Sequence, residues 1–272
     1  MLMSTENSLE NKVALITSSS PGTCADLAKQ LAEAGAKVMI CGRDANQGLA
    51  TVRQIRKSGG RATFVLADIA VISDIRAMID ETIATYGRLD ILLNSISNIY
   101  AQDAPMPDVS ESVWDRIIEP LLKGTFFCCQ LSIPFLQQCD GGTIINLVEK
   151  TPGLQGRSVS KICQGGVVAM TSAIAQQFTT SNVTANLIWA TPLATQDKAA
   201  NETQLSLLIG KIVTGPTDTE QPFSDIGEAV MYLARCDHAH HGTALLIHTS
   251  DIHTSDVHTS ESDTESSSST RS

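Results

Sequence analysis

Midway along the chain, a carboxylate and two cations fall at spacings that could do chemistry. Arg157 and Lys161 stand at i and i+4, so on a helix they share one face, where like charges repel unless an anion lies between them. Glu149, at the end of the apolar run GGTIINLV, can supply that anion. Two active readings are open: Glu149 as a base, or Arg157 and Lys161 as a clamp on an anionic ligand. The plain alternative is a structural ion pair filling a site with no turnover. Nearer the N-terminus, Ser18, Ser20, Gly22 and Thr23 lie in a turn between an apolar run and an amphipathic one. In such a turn a phosphate can rest on backbone N–H groups at a helix N-terminus. Only one glycine stands there, so a simple strand-to-helix loop is an equal reading. Arg43, just past the second apolar run, can grip a phosphate bidentately or merely solvate a loop.

Other clusters carry less. His238, His240 and His241, with His248, His253 and His258 beyond, have no spacing that would hold a metal in fixed geometry, so no metal site is expected. Ser260 and Ser262 each have an acid three residues on, a weak pattern for phosphorylation.

The elements that position these residues follow from periodicity. Seven short, β-branched runs recur: Val13 to Thr17, Lys37 to Cys41, Ala62 to Asp68, Leu89 to Ser95, Thr143 to Val148, Val183 to Trp189 and Thr243 to His248. Most are apolar on both faces, which suits a parallel sheet covered by helices on each side. Amphipathic stretches alternate with them, over Cys24 to Ala34, Asp44 to Lys57 and Ser73 to Tyr86, each followed by a glycine. Two longer helical tracts, about 111 to 138 and 157 to 180, complete the pattern, the first interrupted by Pro120, which removes a backbone donor and predicts a kink or split. The alternation predicts a three-layer, doubly wound Rossmann fold with a seven-stranded parallel sheet. From Ile247 on, three near-identical pentapeptides and a serine-rich end cannot bury enough apolar area to offset ordering entropy. The expected organisation is a flexible 1–11, one domain over 12–249 and a disordered tail over 250–272.

Composition sets outer bounds. The net charge of −10, of which −4 falls in residues 248–272, gives no basic footprint for nucleic acid. No apolar run approaches the length of a membrane span, and the polar, acidic N-terminus lacks the form of a signal peptide. Seven cysteines without framework spacing read as reduced thiols. Together these predict a cytoplasmic protein.

The opening run KVALITSSSPGTCADLAKQLAEAGAKVMICGRD resembles the short-chain dehydrogenase/reductase family, whose Thr-Gly-x-x-x-Gly-x-Gly is matched by Thr17 and Gly22. Ser18 and Cys24 replace the outer glycines, adding bulk beside the phosphates. The resemblance implies a dinucleotide site made of Thr17, Ser18, Ser20, Gly22, Thr23, Arg43, Asp68, Asn94, Lys161 and Thr195. Asp68 would meet the adenine ring and Thr195 the carboxamide. Arg43, with no acid ending the second strand, favours NADP(H) over NAD, bound weakly or not at all. The family's catalytic positions have changed: Leu121 stands for asparagine, Glu149 at or next to serine, and Arg157 for tyrosine, leaving Lys161 alone. This implies a pseudoenzyme or a repurposed cleft. The alternatives are a working carbonyl reductase using Lys161, Glu149 and water, or a non-redox isomerase or cyclase. The substrate or ligand is an unknown small molecule; its loop, about 196 to 222, carries no signature. A homodimer or homotetramer is implied by analogy.

Overall fold

The computed structural model describes residues 9–17, 21–97, 103–149, 158–192, 211–213, 223–235 and 241–249. Among the described residues eight parallel strands form one sheet: β1 (Val13–Thr17), β2 (Lys37–Gly42), β3 (Arg61–Leu66), β4 (Ile91–Ser97), β5 (Gly142–Glu149), β6 (Val183–Pro192), β7 (Lys211–Val213) and β8 (Thr243–Thr249), ordered 3-2-1-4-5-6-8-7. Seven are those predicted from the apolar runs. The eighth, β7, is a three-residue edge strand within the polar segment that gave no strand signal.

Strand alternation sorts the helices into two layers. Even positions of β4 and β5 and odd positions of β1, among them Leu15, Leu92 and Ile144, pack under α3 (Ile72–Tyr86), α4 (Glu111–Ile118), α5 (Thr125–Leu136) and α6 (Ser158–Gln177). The opposite parity, including Ile16, Leu93, Ile145 and Leu147, packs under α1 (Pro21–Glu33), α2 (Ala45–Lys57) and α7 (Ile226–Arg235). Because both faces are covered, most strand residues are buried, which is why the runs read as continuously apolar.

Local signals explain the boundaries. Asp44 caps α2, its Oδ1 accepting from the N–H groups of Asn46 and Gln47 at 2.9 and 3.1 Å. Gly87 ends α3 in the left-handed region at φ 80°. Pro120 splits the long tract as predicted: α4 runs into a wide π turn over Glu119–Gly124 before α5 resumes. Gly124 is required there, because a Cβ would sit 2.3 Å from the Ile69 carbonyl oxygen. At the N-terminus the folded part begins before Lys12. Leu9 is buried and donates its N–H to the Ala34 carbonyl at 2.8 Å, so its side chain packs with the core. Residues 1–8 and the 250–272 tail lie outside the described residues.

All six described cysteines are buried thiols, none in a disulfide. Burial pushes the thiols of Cys41, Cys129 and Cys163 up to about 12, so these are inert core side chains. Among the described residues no helix is long and apolar enough to cross a membrane, and no group of acidic, His or Cys side chains could hold a metal ion.

Candidate active site

The strand order reverses direction between β1 and β4, and in open α/β sheets ligands bind in the crevice beyond the strand C-termini at that switch point. Its residues divide by sheet face. On the side covered by α3, α5 and α6 runs a buried polar ladder. Thr17 Oγ1 donates to Asn94 Oδ1 at 2.9 Å, Asn94 Nδ2 donates to Asn146 Oδ1 at 2.9 Å, and Asn146 Nδ2 donates to Thr171 Oγ1 at 2.8 Å. All four side chains are buried. Asn94 thereby ties β1, β4 and β5 together. Truncating it would leave the Thr17 hydroxyl and the Asn146 carbonyl short of partners, at a cost of about 1–3 kcal/mol.

On the opposite side lies Glu149, 2% exposed. Its Oε2 accepts from Thr23 Oγ1 at 3.0 Å and its Oε1 from Ser95 Oγ at 3.4 Å. Burial raises its carboxyl above the ordinary glutamate value, and the hydroxyls of Thr23 and Ser95 pull the other way. Thr23 lies in the first turn of α1, so this contact ties the end of β5 to the turn where the dinucleotide motif was read.

Glu149 and Lys161 do not form the predicted charge cluster. Lys161 is exposed on the first turn of α6, which covers the other sheet face, and no ion pair joins the two. The reason is the two-residue period of a strand: the β5 end residue that faces α6 is Val148, packed with Ile96, Val159 and Cys163. Leu121, on the π turn, is buried in the same cluster. Arg157 lies outside the described residues. Of the tyrosines, Tyr86 bonds Thr63 Oγ1 at 2.8 Å beside β3, and Tyr232 packs on Phe223 beside α7; Tyr100 is outside the described residues.

At the other end of the crevice, Arg43 and Asp68 face each other past the ends of β2 and β3, with Nη1 3.8 Å from Oδ2. Both are solvent-accessible, the guanidinium 63% exposed, which leaves it open to a phosphate. Asp68 Oδ1 also accepts from the Ala70 N–H at 3.0 Å, which fixes its turn. The Cys24 side chain is buried in the core under α1. Ser18, Ser20 and Thr195 lie outside the described residues. The charge and geometry at Arg43, Asp68, Gly22 and Thr23 fit the adenosine and phosphate portions of a dinucleotide.

The profile of the family described as short chain dehydrogenase matches residues 12–205. The chain belongs to that family. It is 34% identical over 181 residues to the (2S)-[(R)-hydroxy(phenyl)methyl]succinyl-CoA dehydrogenase subunit BbsD of Thauera aromatica, covering 66% of this chain and 72% of that one. It is 25% identical over 260 residues to the 3beta-hydroxysteroid dehydrogenase of Mediterraneibacter gnavus, covering 88% and 93%. Among solved structures it resembles a dehydrogenase/reductase from Sinorhizobium meliloti at a TM-score of 0.70 and 25% identity, over 90% and 96% of the chains.

Sequence reasoning missed two arrangements in this region. The asparagine ladder was readable only as single residues, because nothing local announces that Asn94 and Asn146 share a register. Asp103 was missed as well, because the contact with the start of α6 spans more than fifty residues of chain.

Proposed function

We propose that this short chain dehydrogenase family member binds NADP(H) across the switch point but does not run tyrosine-dependent hydride transfer, acting as a pseudoenzyme or with its cleft turned to another ligand. The observation that supports this is that the end of β5 turns Val148 toward α6, packed with Ile96, Val159 and Cys163, while Glu149 bonds Thr23 and Ser95 on the opposite face; carbonyl reduction needs a proton donor within hydrogen-bond reach. For the cofactor, support comes from the exposed Arg43 paired with Asp68. Lys161, on the far side of the switch point, would hold the half remote from the adenosine, and Thr195 its carboxamide.

Calorimetric titration tests the binding. NADPH is expected to bind and NADH more weakly, and Arg43→Ala should remove that preference, about tenfold, as loss of one charge-assisted contact does. A carbonyl reductase assay with NADPH should show no enzyme-dependent turnover. Ordinary turnover abolished by Lys161→Ala would overturn the proposal.

One observation favours a second reading, a working reductase that draws a proton from Glu149: its carboxyl is held above the ordinary range by burial. Against this stands its position on the sheet face away from Lys161. Under the second reading Glu149→Gln abolishes turnover; under the first there is none to abolish.

A further inference from the structure

The first N–H groups of any helix have no partner within it and need an acceptor from elsewhere. Residues just before a helix usually supply one from their own side chain. Arg157, directly before α6, carries only donors. The acceptor comes instead from Asp103, on the segment after β4. Asp103 Oδ2 accepts from the Ser160 N–H at 2.8 Å and Oδ1 from the Val159 N–H at 3.3 Å. Next to it, the Ala104 carbonyl accepts from the Ser158 N–H at 3.2 Å. Oδ1 also accepts from the Ala104 N–H at 2.8 Å, which fixes the carboxylate to its own turn. Burial pushes this carboxyl up, but the bonds from Ser160, Val159 and Ala104 outweigh it and hold it below the ordinary aspartate value. A buried anion is thus aimed at the positive end of α6.

Lys161 follows Ser160 directly, and its side chain is exposed. We propose that Asp103 is a positioning residue: by capping α6 from the segment after β4, it fixes where Lys161 stands and, through Lys161, the hold on the half of the dinucleotide remote from Arg43. This rests on the NADP(H) reading above. Nothing in Asp103's local sequence marks the role, since it acts on a helix that begins more than fifty residues later.

The test separates the two ends of the cofactor. Calorimetric dissociation constants are measured for NADPH and for adenosine 2′,5′-bisphosphate, which carries only the end that Arg43 and Asp68 would hold. Asp103→Ala is expected to weaken NADPH about five- to tenfold, the loss of one helix cap, while the bisphosphate stays within about twofold of the wild type. Asp103→Asn keeps one acceptor oxygen and should fall between, and it carries the same test if the alanine variant does not fold. A general structural role would weaken both ligands alike, and that result overturns the proposal, as does no change in either. If the wild type binds neither ligand, the NADP(H) reading falls and the positioning role falls with it. If it binds both and the variants leave both unchanged, only the positioning role falls.

Discussion

A glutamate buried to 2% exposure with two hydroxyl partners and no cation in reach among the described residues has a direct consequence for stability. Its pKa in the folded protein lies above that of the unfolded chain, mainly through burial. The folded state therefore binds the proton more tightly. That contribution is fully present below the unfolded glutamate value of 4.5 and is lost as pH rises through the folded one. Glu149→Gln, isosteric and never charged, should accordingly melt above the wild type at neutral pH, with the gap closing as pH falls to about 4. Thermal unfolding across that range measures it. A gap independent of pH, or a wild type that is the more stable at neutral pH, would sink the idea. The sequence reading set Glu149 beside Lys161, whereas its hydrogen-bond partners are Thr23 and Ser95. Whether it or Val148 faces α6 depends on strand parity, and a shift of one residue sends the side chain to the other face.

The elements were legible because apolar runs and breakers are local: the seven strands, the stop at Gly87 and the break at Pro120 each follow from a few adjacent residues. What joins elements was not legible, because those contacts span long sequence distances. Asp90 is the clearest case. Its side chain is wholly buried at the start of β4, accepting from the Val13 N–H at 2.9 Å and from Arg88 Nε and Nη2 at 2.8 and 2.6 Å, with Lys12 Nζ at 3.5 Å. Its backbone bonds Val13 on one side and Thr143 on the other, so one residue registers β1, β4 and β5. Asp90→Ala leaves the buried Val13 N–H without its acceptor, while the partly exposed Arg88 and Lys12 return to water, and should cost about 1–3 kcal/mol in denaturant unfolding. Arg88→Ala should cost less, because the Val13 and Lys12 partners remain. Equal and small losses in both variants would show that the pair is ornamental to the fold.

At the scale of the molecule, the outer face of the α4, α5 and α6 layer carries large apolar side chains in water: Trp114 at 39%, Phe126 at 46% and Ile162 at 41% exposure. Single exposed apolar residues are ordinary, but three large ones on one helical layer suit a protein surface that is covered by another. The arrangement to test is assembly through that layer, a homodimer pairing the same face of two copies in the closed symmetry most soluble oligomers adopt. The long helical tracts were read correctly as elements, yet which of their residues remain outside the core depends on how the π turn at Pro120 rotates α5 relative to α4, and composition does not encode that. Sedimentation equilibrium should find a mass that is a multiple of the 29.0 kDa chain. Phe126→Glu combined with Ile162→Glu sets two like charges against their symmetry mates and should return the protein to the single-chain mass, with secondary structure unchanged by circular dichroism. A wild type that sediments as one chain at tens of micromolar would refute the assembly. A double variant that stays assembled would move the contact to another face.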